Sequence, residues 1–246
     1  MRERTGISAT RTEPSVPPVE EWRDELPLVG QRYRLVGMLG GGGMGNVYLA
    51  YDSELDEDVA IKLLKPSLSE RRDQVDMLRR EVKFARRVTH PNVLRTFDIG
   101  EHQGSKFITM ELVEGQTLAD LLPRKMHLAE VARIARAVCA GLGAAHDAGV
   151  LHRDLKPSNV MLASDGRVLI SDFGIARLAD DPDAGSFAGT PGYMAPELLA
   201  NEPVDTRADI WALGVLLYEI IAGARPFPTA REHMLRPLLQ EAPDPR

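Results

Sequence analysis

The stretch HRDLKPSNVMLASDGRVLISDFG, His152 to Gly174, constrains this chain more than any other. Asp154 and Asn159 share one loop, with Arg153 and Lys156 beside them, and Asp172 follows the apolar run Val168-Leu169-Ile170. A single Asp in a loop is a routine turn or capping residue. The tight turn expected at Asp165-Gly166 changes that reading. It folds the apolar run back as a hairpin and returns Asp172 close to Asp154 and Asn159. Two oxygen donors, Asn159 and Asp172, then face one point, which suits Mg²⁺, a hard cation that keeps waters and shares phosphate oxygens. Asp154 stays free as a carboxylate beside a metal-bound phosphate. Such an arrangement suits the transfer of a phosphoryl group to a hydroxyl.

At these residues the chain resembles the eukaryotic-type protein kinases, with a bacterial style of motif. HRDLKPSN looks like the catalytic loop and Asp172-Phe173-Gly174 like the magnesium-binding turn. The resemblance implies an α+β, bilobal kinase fold: a small antiparallel β lobe with one helix, then a larger, mainly helical lobe. It also implies ATP with Mg²⁺ (or Mn²⁺), Asp154 as the group that orients the acceptor hydroxyl, and Lys156 as the steadier of the transferring phosphate. Lys156 two residues after Asp154 is the form seen in serine/threonine kinases.

The small lobe is expected from Tyr33 onward. Tyr33 to Leu39 and Asn46 to Tyr51 have strand character and flank Gly40-Gly41-Gly42-Gly43-Met44-Gly45. A glycine run alone reads equally as a linker or a dinucleotide fingerprint, but the fingerprint needs a helix next. Here β-like NVYLAYD follows, and Leu39, Gly40, Gly42, Gly45 and Val47 resemble the kinase glycine-rich loop over the nucleotide. Bare backbone can there approach phosphates closely. Asp58 to Leu64 is a buried strand with one lysine, and Val59-Ala60-Ile61-Lys62 resembles the segment whose lysine holds the α- and β-phosphates. An edge-strand solubiliser is the plain alternative for Lys62.

Ser69 to Val88 is helical by period, with Val75, Leu78, Val82 and Ala85 on one stripe. Glu81 near its middle is the expected partner of Lys62. Its basic neighbours Arg79, Arg80, Lys83, Arg86 and Arg87 read first as a solvated face and second as a docking surface. Strands follow at Val93 to Ile99 and Lys106 to Leu112. By resemblance Met110 backs the adenine pocket, and the backbone of Glu111 and Val113 forms the hinge that binds the base.

The large lobe is expected to begin near Glu114. Leu128 to Gly149 has helical spacing, and Cys139 and His146 on it read as packed residues. His152 reads as structural. Arg153 resembles the arginine that couples activity to a phosphorylated activation loop, for which Ser186 is the candidate acceptor. Thr190 is expected to bridge Asp154 and Lys156 at the substrate groove. Asp205 to Ala222 is apolar on nearly every side and reads as a buried helix, with Asp209 tying down the catalytic loop. Ala230 to Gln240 is the last helical patch.

Composition adds limits. Six more acidic than basic residues, 36 against 30, disfavour a general nucleic-acid binder. The lone cysteine suits a reducing compartment, and no stretch reads as a signal peptide or bilayer span. A cytoplasmic protein is expected, with protein substrates as partners and self-association for autophosphorylation. Residues 1–30 read as a disordered tail, 31–113 as the small lobe and 114–246 as the large lobe. Relatives carry about two further helices, including an arginine for the glutamate matching Glu197. These C-terminal helices are missing here, so the sequence reads as a fragment or a short form. Arg207 or Arg225 is the expected substitute for that arginine. Two rival readings stand beside the kinase: an inert nucleotide-binding pseudokinase, and a small-molecule kinase of the aminoglycoside or choline type. The second lacks the Gly189-Thr190-Pro191 and Ala195-Pro196-Glu197 segment found here.

Overall fold

The computed structural model describes residues 27–66, 72–122, 124–173, 190–200 and 202–227. Ser186, the acidic run 180–183 and the patch 230–240 lie outside them, as do residues 1–26 of the expected tail.

Six strands form an antiparallel sheet: β1 (Leu28–Val29), β2 (Tyr33–Gly41), β3 (Gly45–Asp52), β4 (Glu57–Leu64), then β5 (Thr96–His102) and β6 (Ser105–Met110), in the order β1-β2-β3-β4-β6-β5. Leu28 and Val29 were expected in the tail. They pair instead with Arg34 and Tyr33, because Val29 finds an apolar site beside Tyr33 and Phe107. Strand alternation sorts β4 into two faces. Val59 and Ile61 enter one cluster with Phe107, whereas Ala60 and Leu64 enter another with Ile108 and Met110. Lys62 shares the parity of Ala60 and Leu64, so its ammonium emerges on the cleft side.

Helix α1 (Arg72–Ala85) covers that second face through Leu78 and Val82, both almost fully buried. Burying a leucine this way contributes about 1.5–3 kcal/mol. Arg79, Arg80, Lys83, Arg86 and Arg87 are exposed on its outer side, as a solvated face would be. The strand expected at Val93 starts later, at Thr96. Val93 instead bridges Ile170, and Leu94 N–H donates to Ile170 O at 2.8 Å. The link between α1 and β5 is thus stitched to the large lobe.

A second sheet, β7 (Gly115–Thr117), β8 (Val160–Ala163) and β9 (Val168–Ile170), lies at the top of the large lobe. Short helix α2 (Leu118–Leu121) follows β7 with a Thr117–Asp120 capping box. Helix α3 (Leu128–Asp147) buries Val131, Ile134, Val138, Leu142 and Ala145. It ends where Gly149 turns left-handed and Val150 N–H reaches back to Ala145 O. Cys139 was expected in the core, but it is exposed, one residue past the buried stripe. After α4 (Pro196–Leu199), helix α5 (Arg207–Ala222) packs against α3. It is less buried than its composition suggests: Ile210 and Ile221 are each 55 % exposed. Among the described residues, no helix is long and apolar enough to cross a membrane.

Candidate active site

The loop between α3 and β8 is held from below. Asp209, 1 % exposed on the first turn of α5, accepts the His152 and Arg153 N–H groups at 2.9 and 2.8 Å. His146 Nε2 also lies 2.8 Å from its carboxylate, so this histidine is packed, as expected. These bonds hold Arg153 at a φ of 66°, a left-handed conformation that costs a non-glycine residue about 1–2 kcal/mol. Asp172 shows the same backbone, with a φ of 62°. Strain of this kind persists only where surrounding contacts over-determine it.

His152 is fully buried, packed against Phe173 with ring centroids 4.7 Å apart. Its Nδ1 accepts the Asp154 N–H, so Nε2 carries the proton and donates to Ser171 O at 2.9 Å. Burial pushes its pKa down, against the pull of Asp209 and Asp154. A neutral imidazole with both nitrogens engaged is a structural piece.

The Asp154 carboxylate itself stands in a tight constellation. Asp154 Oδ2 lies 2.6 Å from Lys156 Nζ, and Asp154 Oδ1 accepts the Thr190 hydroxyl at 3.1 Å. Lys156 Nζ donates to the same Thr190 oxygen at 2.8 Å, which is the bridge expected from the sequence. Asn159 Nδ2 donates to Asp154 O at 2.8 Å and to its Oδ2 at 3.2 Å. With its amide nitrogen spent there, Asn159 keeps Oδ1, which accepts the Ser158 hydroxyl at 3.5 Å and has a further lone pair to offer. Asp172 approaches from β9, and its Oδ1 is 2.8 Å from Lys62 Nζ. Desolvation pushes the Asp172 carboxyl up, but Lys62, with Lys156, outweighs it and holds the pKa below the ordinary carboxylate value. Lys62 thus pairs with Asp172, and Glu81, the partner expected from the sequence, sits half-buried on α1.

A cleft of about 740 Å³ runs from the glycine-rich turn to Thr190. Leu39, Gly40, Gly42, Gly45, Val47, Ala60, Lys62, Met110, Glu111 and Val113 line its upper part, and Asp154, Lys156, Asn159, Asp172 and Thr190 its lower part. Of the expected site residues that are described, Glu81 alone is outside this lining. Gly45 is required by packing: a Cβ there would lie 2.0 Å from Leu63 O. At Gly40, Gly42 and Gly43 nothing lies within 4 Å of an added Cβ, so their bare backbone faces open space. Sequence reasoning missed Leu94, Met161, Lys65 and Asp120, which also line the cleft. Met161 had a signal in the alternation of β8, opposite in parity to buried Val160. Lys65 and Asp120 had none, since their approach depends on how the lobes meet.

A curled β lobe and a helical lobe, meeting over a carboxylate–lysine–amide set, define a protein of the bilobal phosphotransferase class. The family model for the protein kinase domain matches residues 33–242, and the chain belongs to this family. It is 39 % identical to the serine/threonine-protein kinase pkn3 of Myxococcus xanthus over 233 residues, covering 88 % of this chain and 43 % of that protein. It is 40 % identical to PknD of Mycobacterium tuberculosis over 212 residues, covering 83 % and 32 %. A crystal structure of the M. tuberculosis PknI kinase domain superposes with a TM-score of 0.70 at 36 % identity, covering 87 % of this chain and 85 % of that one. The chain spans less than half the length of the curated relatives it matches, 26 % of Myxococcus pkn2 for example. Family members use ATP and a divalent metal.

Of the two candidate arginines, Arg207 binds Asp205 at 2.8 Å and also interacts by charge with Glu197, whereas Arg225 lies 3.9 Å from Glu219 and over the Tyr193 ring.

Proposed function

We propose that this chain is the catalytic domain of an ATP-dependent kinase that phosphorylates Ser/Thr hydroxyls on proteins, with residues 31–113 as small lobe and 114–246 as large lobe. One observation carries the reading. Asp154 accepts a hydroxyl proton from Thr190 while Lys156 donates to that same oxygen. A carboxylate and an ammonium that jointly bind a hydroxyl oxygen can orient an acceptor hydroxyl and steady a phosphate arriving there.

The roles follow from position. Adenine lies between Val47 and Ala60 above and Met161 below. Glu111 N–H is spent on Arg95 O at 2.9 Å, so the base uses the Glu111 carbonyl and the Val113 backbone. The glycine-rich turn covers the phosphates, and Lys62 grips them once released from Asp172. Asn159 Oδ1 and the Asp172 carboxylate are hard oxygen donors of the kind Mg²⁺ (or Mn²⁺) takes alongside phosphate oxygens and water. When bound, the metal neutralises phosphate charge. Asp154 orients the acceptor and takes its proton late, so catalysis is chiefly positioning and charge stabilisation.

Among the described residues, two buried side-chain nitrogens lack a hydrogen-bond partner, and Arg153 Nε is one of them. A half-buried arginine whose Nε is buried and unpartnered, beside the catalytic Asp, suits a phosphate. A phosphorylated Ser186 is its proposed partner, supplied by autophosphorylation between associated copies. The single cysteine suits a reducing compartment and so a cytoplasmic domain, and the net charge of −6 disfavours nucleic acid as a partner. The test is the intact mass of the chain after incubation with Mg²⁺ and ATP. Steps of one phosphate, absent in Asp154→Asn, are expected; a wild-type chain that binds ATP yet gains no mass would leave a nucleotide-binding module.

A further inference from the structure

The turn at Asp165-Gly166 is built more heavily than a hairpin return requires. Arg167, just after it, donates from Nε to Asp165 Oδ2 at 2.7 Å, and its N–H donates to Asp165 Oδ1 at 2.9 Å. The same guanidinium reaches out through Nη1 to Glu111 Oε1 at 2.8 Å. The turn is anchored from the other side, where Arg133 of α3 donates Nη1 to Gly166 O at 2.8 Å. A continuous path of charged and backbone hydrogen bonds therefore runs from α3, through the β8–β9 turn, to the side chain of Glu111.

Glu111 is where the small-lobe sheet ends and the crossing to the large lobe begins. Met110 before it still pairs with Ala60 and Thr96, and Gly115 after it already pairs with Ala163 of the large lobe. Glu111 lines the cleft while Arg167 holds its carboxylate. Only four residues span this crossing, Glu111 to Glu114, so a fixed Glu111 side chain limits how its peptide planes can turn. Exposed ion pairs usually contribute little, because two long side chains must be ordered to make them. Here one partner is ordered already by its own turn. That reduces the entropic loss on reaching Glu111.

We propose that Arg167 is a positioning residue for the nucleotide: through Glu111 it clasps the interlobe crossing to the β8–β9 turn and presents the base-binding backbone ready-made. The proposal rests on the kinase reading of the cleft, since it assigns the base to this backbone. Its distinguishing consequence is a split in kinetics. Loss of the clasp weakens nucleotide binding and raises KM for ATP, while kcat at saturating ATP stays near wild type, because the Arg167 side chain bonds Asp165 and Glu111 and none of the groups that bind the acceptor hydroxyl.

The experiment compares wild type with Arg167→Glu, Glu111→Arg and the double charge reversal. Hydrogen exchange of the backbone amides at 111–116 is measured without nucleotide, and Kd is measured for a non-hydrolysable ATP analogue with Mg²⁺. Each single reversal is expected to speed exchange at the crossing and to weaken the analogue by roughly threefold to tenfold. The double reversal should restore both in part, because Arg167→Glu also loses the Asp165 pair within the turn. Single variants with wild-type exchange and binding overturn the proposal, as does a double variant that restores neither. If a charge reversal fails to fold, Arg167→Gln carries the same expectation. A wild-type chain that binds no nucleotide would sink the kinase reading instead, and exchange at 111–116 would still decide whether the clasp exists.

Discussion

Lys62 and Asp172 form an ion pair 2.8 Å long across the cleft, joining β4 of the small lobe to the end of β9 in the large lobe. In the proposed reaction these two groups must part, Lys62 to phosphate and Asp172 to metal. The pair thus marks the ground from which nucleotide and metal together pull the site into working order. Asp172→Asn is expected to lower phosphate transfer on the order of a hundredfold or more, since it removes the negative charge that faces both the metal and Lys62. Initial rates across a Mg²⁺ titration check this. The variant should also need more metal, and unchanged metal dependence would count against the assignment.

Asp154→Asn is isosteric and keeps the hydroxyl-binding geometry near Thr190 while removing the charge. Transfer should fall by about 10²–10⁴, the range for loss of a positioned base, with nucleotide affinity nearly unchanged. Rate and affinity measured on the same preparation separate the two effects. A comparable loss of binding would remove Asp154 from the role given to it.

Asp209→Ala strips the acceptor from the His152 and Arg153 N–H groups and from His146. Leaving buried donors unsatisfied should cost about 3 kcal/mol, which lowers the melting temperature by roughly 10 °C in a domain of this size. Asp76→Ala, which removes an exposed pair with Arg79, should leave the melting temperature essentially unchanged. Calorimetry on both variants tests the contrast.

Acid should weaken the small lobe through Asp52. Burial pushes this carboxyl up, but Arg32 at 2.7 and 2.6 Å and the Glu54 and Leu55 N–H groups outweigh it and hold the pKa below its ordinary value. A carboxyl depressed in the folded state contributes stability above the unfolded value, about 3.9, and loses it as pH falls through the folded one. Denaturant midpoints measured from about pH 5 to pH 2 should fall more steeply for wild type than for Asp52→Asn. Parallel curves would show that the pair carries no linked stability.

The glycines of the turn over the cleft should separate by packing. Gly45→Ala forces a Cβ against Leu63 O and should destabilise the β3–β4 pairing by about 2 kcal/mol or more. Gly43→Ala meets open space and should leave stability unchanged. Thermal melts of the two variants decide between a packing role and a merely flexible one.

Much of this architecture was legible because neighbours along the chain carried it. The period-2 run 57–64 placed Lys62 on the face of Ala60, and the Asp165-Gly166 turn returned Asp172 to Asn159. The stripe on α3 was read correctly to within a residue or two. Misreadings arose where distant packing decided: Cys139 turned outward past the stripe, Val93 joined β9 rather than a strand of its own, and Leu28–Val29 found a partner at the sheet edge.

What the order of residues dictated was local. Turn chemistry, alternation and motif spacing set which side chains could share a loop or a face, because those relations span a few bonds. The tertiary structure decided which charges met: Lys62 with Asp172, Arg225 with Glu219, Arg167 with Glu111 across the lobes. Ion pairing falls off within a few ångströms, and several carboxylates compete for each cation. The choice among them is made only when folding sets the distances.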